Sequence, residues 1–100
     1  MLNIDSLRFP RYELPASLEP LRREVRAFLA DVLAPYSALV RSNTWDGFDP
    51  EFSRKLGARG WLGMALPKQY GGHERSALER YVVVEETLAA GAPVGFHWIA

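Results

Sequence analysis

One hundred residues with 48% hydrophobic and 24% charged side chains describe one small globular domain and exclude a disordered or fibrous chain. Twelve basic residues balance twelve acidic ones, which leaves no electrostatic footprint for nucleic acid or an anionic membrane, and no uncharged apolar run reaches the roughly 18 residues of a membrane helix. The absence of cysteine excludes disulfides, thiolate nucleophiles and cysteine-bound metal centres; with no signal-peptide core in the first fifteen residues, it fits a cytoplasmic location.

Residues 1–16 hold Pro10 and Pro15, show no helical period and read as an extended arm. Residues 17–100 then read as one all-α unit of about four helices. Leu21, Val25, Phe28, Leu29, Val32 and Leu33 fall on one face of a 3.6-residue period, with Pro20 in the first turn and Pro35 as the stop. Arg22, Arg23 and Arg26 lie largely on the other side and read as a solvated outer face. Residues 36–48 read as a long connection, with Asn43, Asp46 and Gly47 as turn formers.

Asp49-Pro50-Glu51 is a helix start, with Asp49 as N-cap and Pro50 at the first helical position. Phe52 and Leu56, one turn apart, face inward, and Gly60 suits a left-handed cap. Gly63 and Pro67 punctuate an irregular stretch that ends in a tight Gly71-Gly72 turn. Ser76-Ala77-Leu78-Glu79 is a capping box. The helix it opens is apolar nearly all round at Val82-Val83-Val84, which predicts deep burial. Gly91 ends that helix and Pro93 predicts a restart through residues 94–100. No stop signal follows, so the chain reads as ending in mid-helix, and the isolated segment is expected to be partly folded and association-prone.

Few residues suggest chemistry. Glu85-Glu86 invites a pair of catalytic carboxylates, but helix neighbours point about 100° apart and do not face each other; one of them is expected to pair with an arginine inside the fold. His73 and His97 lack metal-ligand spacing. His73 reads as a solvated turn residue, and His97 as a satisfied core histidine, with a pocket-lining position as the alternative. Gly71-Gly72 lacks the lysine and Ser/Thr of a phosphate loop, Ser76 reads as a cap, and Trp45, Trp61 and Trp98 lack interleaved basic residues. No catalytic, cofactor-binding or metal-ligating set emerges.

Four stretches in order carry a resemblance: Lys55-Leu56-Gly57-Ala58-Arg59-Gly60-Trp61-Leu62-Gly63, Leu66-Pro67-Lys68-Gln69-Tyr70-Gly71-Gly72, Val84-Glu85-Glu86 and Ala89-Ala90-Gly91-Ala92-Pro93. Together they resemble the N-terminal helical domain of acyl-CoA dehydrogenases, with the helix over 21–35 similar to that family's opening helix. The resemblance implies a three-part fold, in which this domain precedes a β domain that holds FAD and a C-terminal four-helix domain. It implies oxidation of an acyl-CoA thioester to the 2,3-enoyl form, a glutamate base, hydride transfer to flavin and electron transfer to an electron-transfer flavoprotein. It also implies a homotetramer, or a heterotetramer with a sister subunit. The flavin motifs and the base would lie downstream, so neither Glu85 nor Glu86 inherits that role and the segment alone is expected to be inactive.

What this part would contribute is a wall of the acyl pocket. On the predicted helix after Pro93, Val94 and Trp98 share a face and Gly95 leaves space beside the indole, so Val94, Gly95 and Trp98 are the candidate substrate-pocket residues. Two alternatives remain: a same-fold flavoenzyme of different chemistry, such as an acyl-CoA oxidase or a monooxygenase-like member, and a non-catalytic helical interaction module.

Overall fold

The computed structural model describes residues 13–95 and 97. The first twelve residues of the expected arm, and residues 96 and 98–100 of the last predicted helix, lie outside the described residues. The elements are α1 (Glu19–Val32), α2 (Ala38–Arg41), α3 (Pro50–Ala58) and α4 (Ala77–Ala89), with short 3-10 turns at Ala16–Leu18 and Lys68–Tyr70. Among the described residues the regular elements are all helical, joined by turns and loops, with one isolated antiparallel bridge between Phe48 and Val94.

Local signals explain the helix starts. Asp49 caps α3 by accepting from the Glu51 N–H at 3.0 Å, while the Tyr36 hydroxyl donates to its other carboxylate oxygen. Burial, reinforced by that carboxylate, pushes the Tyr36 phenol up to about 12. The Tyr36 hydrogen bond in turn holds Asp49 below the usual carboxylate range. At α4 the Ser76 hydroxyl accepts from the Glu79 N–H at 3.1 Å, and the Glu79 carboxylate accepts from the Ser76 N–H at 3.1 Å, which completes the capping box. Gly60 and Gly91 both take the left-handed conformation, at φ +78° and +74°.

α1 packs on α4, and its apolar stripe meets α3 and the turn after it. Val25, Phe28, Leu29 and Leu33 from the first helix and its end join Phe52, Leu56, Trp61, Met64 and Val83 in one core. Phe28 stands edge-on to the Trp61 indole, with ring centroids 5.2 Å apart. Each large side chain withdrawn from water here contributes about 1.5–3 kcal/mol.

Four expectations need correction. The connection over 36–48 contains α2, whose start is capped by Ser37; four residues are too few for a periodic pattern to reveal. α4 is not covered all round: Val82, Val83, Glu86 and Thr87 are buried while Leu78 and Tyr81 face solvent. Arg22 does not belong to a solvated outer face, because it is largely buried in the α1–α4 seam against Glu86; Arg23 and Arg26 are exposed as expected, although Arg26 also reaches Glu86. Pro93 does not open a helix. The N–H groups of Val94 and Gly95 donate to Thr44 O at 3.3 Å and Gly47 O at 2.8 Å, so this backbone is paired with the segment before α3.

That segment also carries exposed apolar side chains: Leu39, Val40, Trp45 and Phe48 are each more than half exposed, Leu39 at 82%. Apolar groups this close in sequence favour association. Residues 1–100 alone are expected to show a sedimentation coefficient that rises with concentration. A concentration-independent monomer would contradict this.

Candidate functional site

Residues 38–47 act as a strap over the junction that follows α4. Arg41 Nε donates to Ala90 O at 2.8 Å, and the Thr44 hydroxyl donates to Ala92 O. The approach is too close for side chains at two glycines. A Cβ on Gly47 would stand 3.0 Å from Pro93 Cα, and one on Gly95 would stand 2.9 Å from the carbonyl oxygens of Gly47 and Trp45. The strap thereby fixes the extended course of residues 92–95 and places Val94 and His97.

Those two residues line an apolar cavity of about 40 Å³ between α3 and α4, walled chiefly by Leu56, Met64, Val83 and Leu88. Three polar side chains also reach it: Arg80, Thr87 and His97. The Thr87 hydroxyl is satisfied internally, donating to Val84 O at 2.9 Å. His97 stacks on Phe52 at 6.1 Å between ring centroids, and its Nε2 lies 2.8 Å from Ser53 Oγ. Its Nδ1 is buried and has no hydrogen-bond partner among the described residues. The expectation of a fully satisfied core histidine is therefore met at one nitrogen and not at the other. Burial lowers the His97 pKa and keeps the imidazole neutral near pH 7.

Of the candidate pocket residues, Val94 is on the cavity. The missing side chain of Gly95 makes room for the strap carbonyls, and Trp98 lies outside the described residues. Sequence reasoning did not single out Arg41, Thr44 or Arg80. A second glycine, Gly47, opposite the Gly95 turn was the available signal for the strap.

Glu85 and Glu86 do not form a catalytic pair. Glu86 accepts from Arg22 Nη1 and from Arg26 Nε at 2.8 Å, and Glu85 lies 3.3 Å from Arg22. The Arg26 hydrogen bond, followed by that of Arg22, holds Glu86 below the usual carboxylate range. His73 is exposed. Among the described residues no three His, Cys, Asp or Glu side chains come together as metal ligands, and no helix is long and apolar enough to cross a membrane.

These groups set an acid limit on stability. An unfolded chain takes up a proton on His97 near pH 6.5 while the buried ring resists it, so stability begins to fall as pH drops through that value. The depressed carboxylates stabilise the fold above their unfolded value of 4.5 and lose that contribution as pH falls through their folded values. For Glu79, hydrogen-bonded by Arg75, the folded value is about 2. Urea midpoints measured from about pH 7 down to about pH 3 should fall in two stages; a flat profile to pH 4 would contradict the burial of His97.

The described residues thus define a helical domain that holds an apolar wall in place and brings no reacting pair together. Residues 15–100 match the acyl-CoA dehydrogenase N-terminal domain, and the chain belongs to the acyl-CoA dehydrogenase family as that domain. It is 35% identical over 83 residues to the acyl-CoA dehydrogenase FadE26 of Mycobacterium tuberculosis, a match covering 78% of this chain and 21% of that protein. It is 39% identical over 79 residues to the mitochondrial isovaleryl-CoA dehydrogenase of Pongo abelii, covering 78% of this chain and 18% of the relative. A 3-sulfinopropanoyl-CoA desulfinase of Cupriavidus necator is 30% identical over 87 residues, covering 84% and 21%. The chain therefore spans about a fifth of the length of these curated relatives. No solved structure matches it.

Proposed function

We propose that the chain is the N-terminal part of an FAD-dependent acyl-CoA dehydrogenase that converts an acyl-CoA thioester to its 2,3-enoyl form, and that it supplies a wall of the acyl pocket. The placement of Val94 and His97, just after the Gly91-Ala92-Pro93 turn, on an apolar cavity carries this proposal. A space of about 40 Å³ holds a few water molecules, so an acyl tail needs further walls from elsewhere in the protein. Val94 would touch the tail, Gly95 would hold the segment against the strap, and Trp98 would extend the wall.

Among the described residues, neither the cavity lined by Val94 nor the Gly71-Gly72 turn fits FAD. The cavity is far smaller than a tricyclic ring system, and the Gly71-Gly72 turn lacks the flanking groups of a phosphate cradle. The flavin, which supplies the hydride acceptor when bound, and the carboxylate base are assigned to other parts of the protein. An electron-transfer flavoprotein as acceptor, a homotetramer or a heterotetramer with a sister subunit, and a cytoplasmic location belong to the same proposal.

Anaerobic mixing of the full-length, flavin-loaded protein with acyl-CoA thioesters is the test. Loss of oxidised-flavin absorbance together with an enoyl-CoA product is the expected result; turnover without an enoyl product would overturn it. Peroxide formation in air in place of electron transfer to a partner would assign an oxidase. The relative named as a desulfinase favours one second reading, cleavage of a sulfinate group from the acyl chain, which product analysis separates from dehydrogenation.

A further inference from the structure

We propose that residues 1–12 of this chain occupy the open cleft between the starts of α1 and α4 and brace the helix seam from that side. The cleft, of about 770 Å³, shares no lining residue with the cavity that carries Val94. Its floor is apolar. Leu14 is half-buried there, and Leu78 and Tyr81, three apart on the first turns of α4, share a face at 36% and 53% exposure. The burial these side chains can gain depends on a segment laid over them.

The rim is acidic. Glu13, Glu19 and Glu85 bring three carboxylates to the cleft against one cation, Arg22. Arg22 is already engaged by Glu86 and Glu85 across the seam. Among the described residues Glu13 and Glu19 pair with no cation. An occupant that matches this cleft therefore carries apolar side chains and basic ones side by side.

Two observations select residues 1–12. The first is the path of the chain: Glu13 and Leu14 are themselves walls of the cleft, so residue 12 joins at its edge. Twelve extended residues reach up to about 40 Å, whereas one turn of α4 is about 5 Å, so the segment is long enough to cover Leu78 and Tyr81. The second is composition. Leu2, Ile4, Leu7, Phe9 and Tyr12 alternate loosely with polar residues, and Arg8 and Arg11 outnumber Asp5. Apolar groups of this kind suit the floor, and the two arginines suit the unpaired carboxylates of the rim. Attachment to the same chain adds an effective concentration on the order of millimolar, which favours this segment over a separate partner of equal chemistry.

The test uses the full-length, flavin-loaded protein carrying Leu78→Cys, with maleimide labelling at position 78 followed by peptide mass spectrometry. Deleting residues 2–12 is expected to raise the labelling rate roughly tenfold, because the cleft then no longer has to open first. Arg8→Glu with Arg11→Glu should raise it in the same direction, and so should about 1 M salt in the intact protein, which screens ion pairs at the rim. Tyr81→Cys gives a second reporter on the same floor. Equally fast labelling with and without residues 2–12 shows an open cleft and overturns the proposal. Equally slow labelling shows that another part of the protein or a second copy covers the cleft, and overturns it too. If the deletion variant does not fold, an unchanged rate in the double arginine variant is decisive against the proposal. Labelling is read without substrate, so the result stands apart from the dehydrogenase reading.

Discussion

Replacing Glu86 with alanine is expected to destabilise the fold by about 3 kcal/mol, read from urea unfolding followed by circular dichroism. The Glu86 side chain is 8% exposed and joins two arginines of α1 from its place on α4. Arg22, at 12% exposed, is the partner that matters. Without Glu86 its guanidinium would sit in the helix seam with Glu85 as its remaining partner, a carboxylate 43% exposed and correspondingly screened. Arg26 is 63% exposed and screened by solvent, so Arg26→Ala should cost far less than Glu86→Ala. The ion cluster is not a net source of stability in proportion to its contacts, because burying the charges carries its own desolvation cost. The double variant Arg22→Met with Glu86→Leu is therefore expected to recover most of the loss. Equal destabilisation by Glu86→Ala and Arg26→Ala would show that the buried arm has no special weight.

The range of each signal along the chain decided how much of this was legible. Asp49-Pro50 and Ser76 with Glu79 act within one helical turn, and the structure places both caps where the residue types put them. Gly60 and Gly91 are equally local, since a helix that must turn sharply needs a residue tolerant of positive φ. The family was readable because its motifs are such turns and caps. The pairing of Arg22 and Arg26 with Glu86 spans 64 and 60 positions, and no local pattern encodes which carboxylate an outer arginine will meet. Pro93 misled for a physical reason: its fixed φ near −65° suits the first turn of a helix and an extended course alike. The strap decided between them by offering carbonyl acceptors at Thr44 and Gly47. The cavity was out of reach in the same way, since α3, α4 and the segment after Pro93 meet there only in three dimensions.

Replacing Gly91 with valine should be at least as damaging, at about 3 kcal/mol or more, because two separate costs add. The first is conformational. Gly91 has φ +74°, where a β-branched residue is strained by about 1–3 kcal/mol. The second is steric, for a Cβ there would stand 2.6 Å from Arg41 O and 2.8 Å from Arg41 Cβ. The end of α2 would have to move, and α2 leads into the strap. The hydrogen bonds from Arg41 to Ala90 O and from Thr44 to Ala92 O would be disturbed together. Val94 hangs from the same strap through its own N–H on Thr44 O, so displacement would reach the cavity wall as well as the global stability. Gly71 separates the two costs. It has φ +85°, yet a Cβ there would meet nothing within 4 Å, so Gly71→Val should carry the conformational strain alone. Paired unfolding measurements on the two variants therefore give the steric share by difference. If Gly71→Val and Gly91→Val lose the same stability, the approach of Arg41 to this turn contributes nothing, and the strap does not hold the segment that carries Val94.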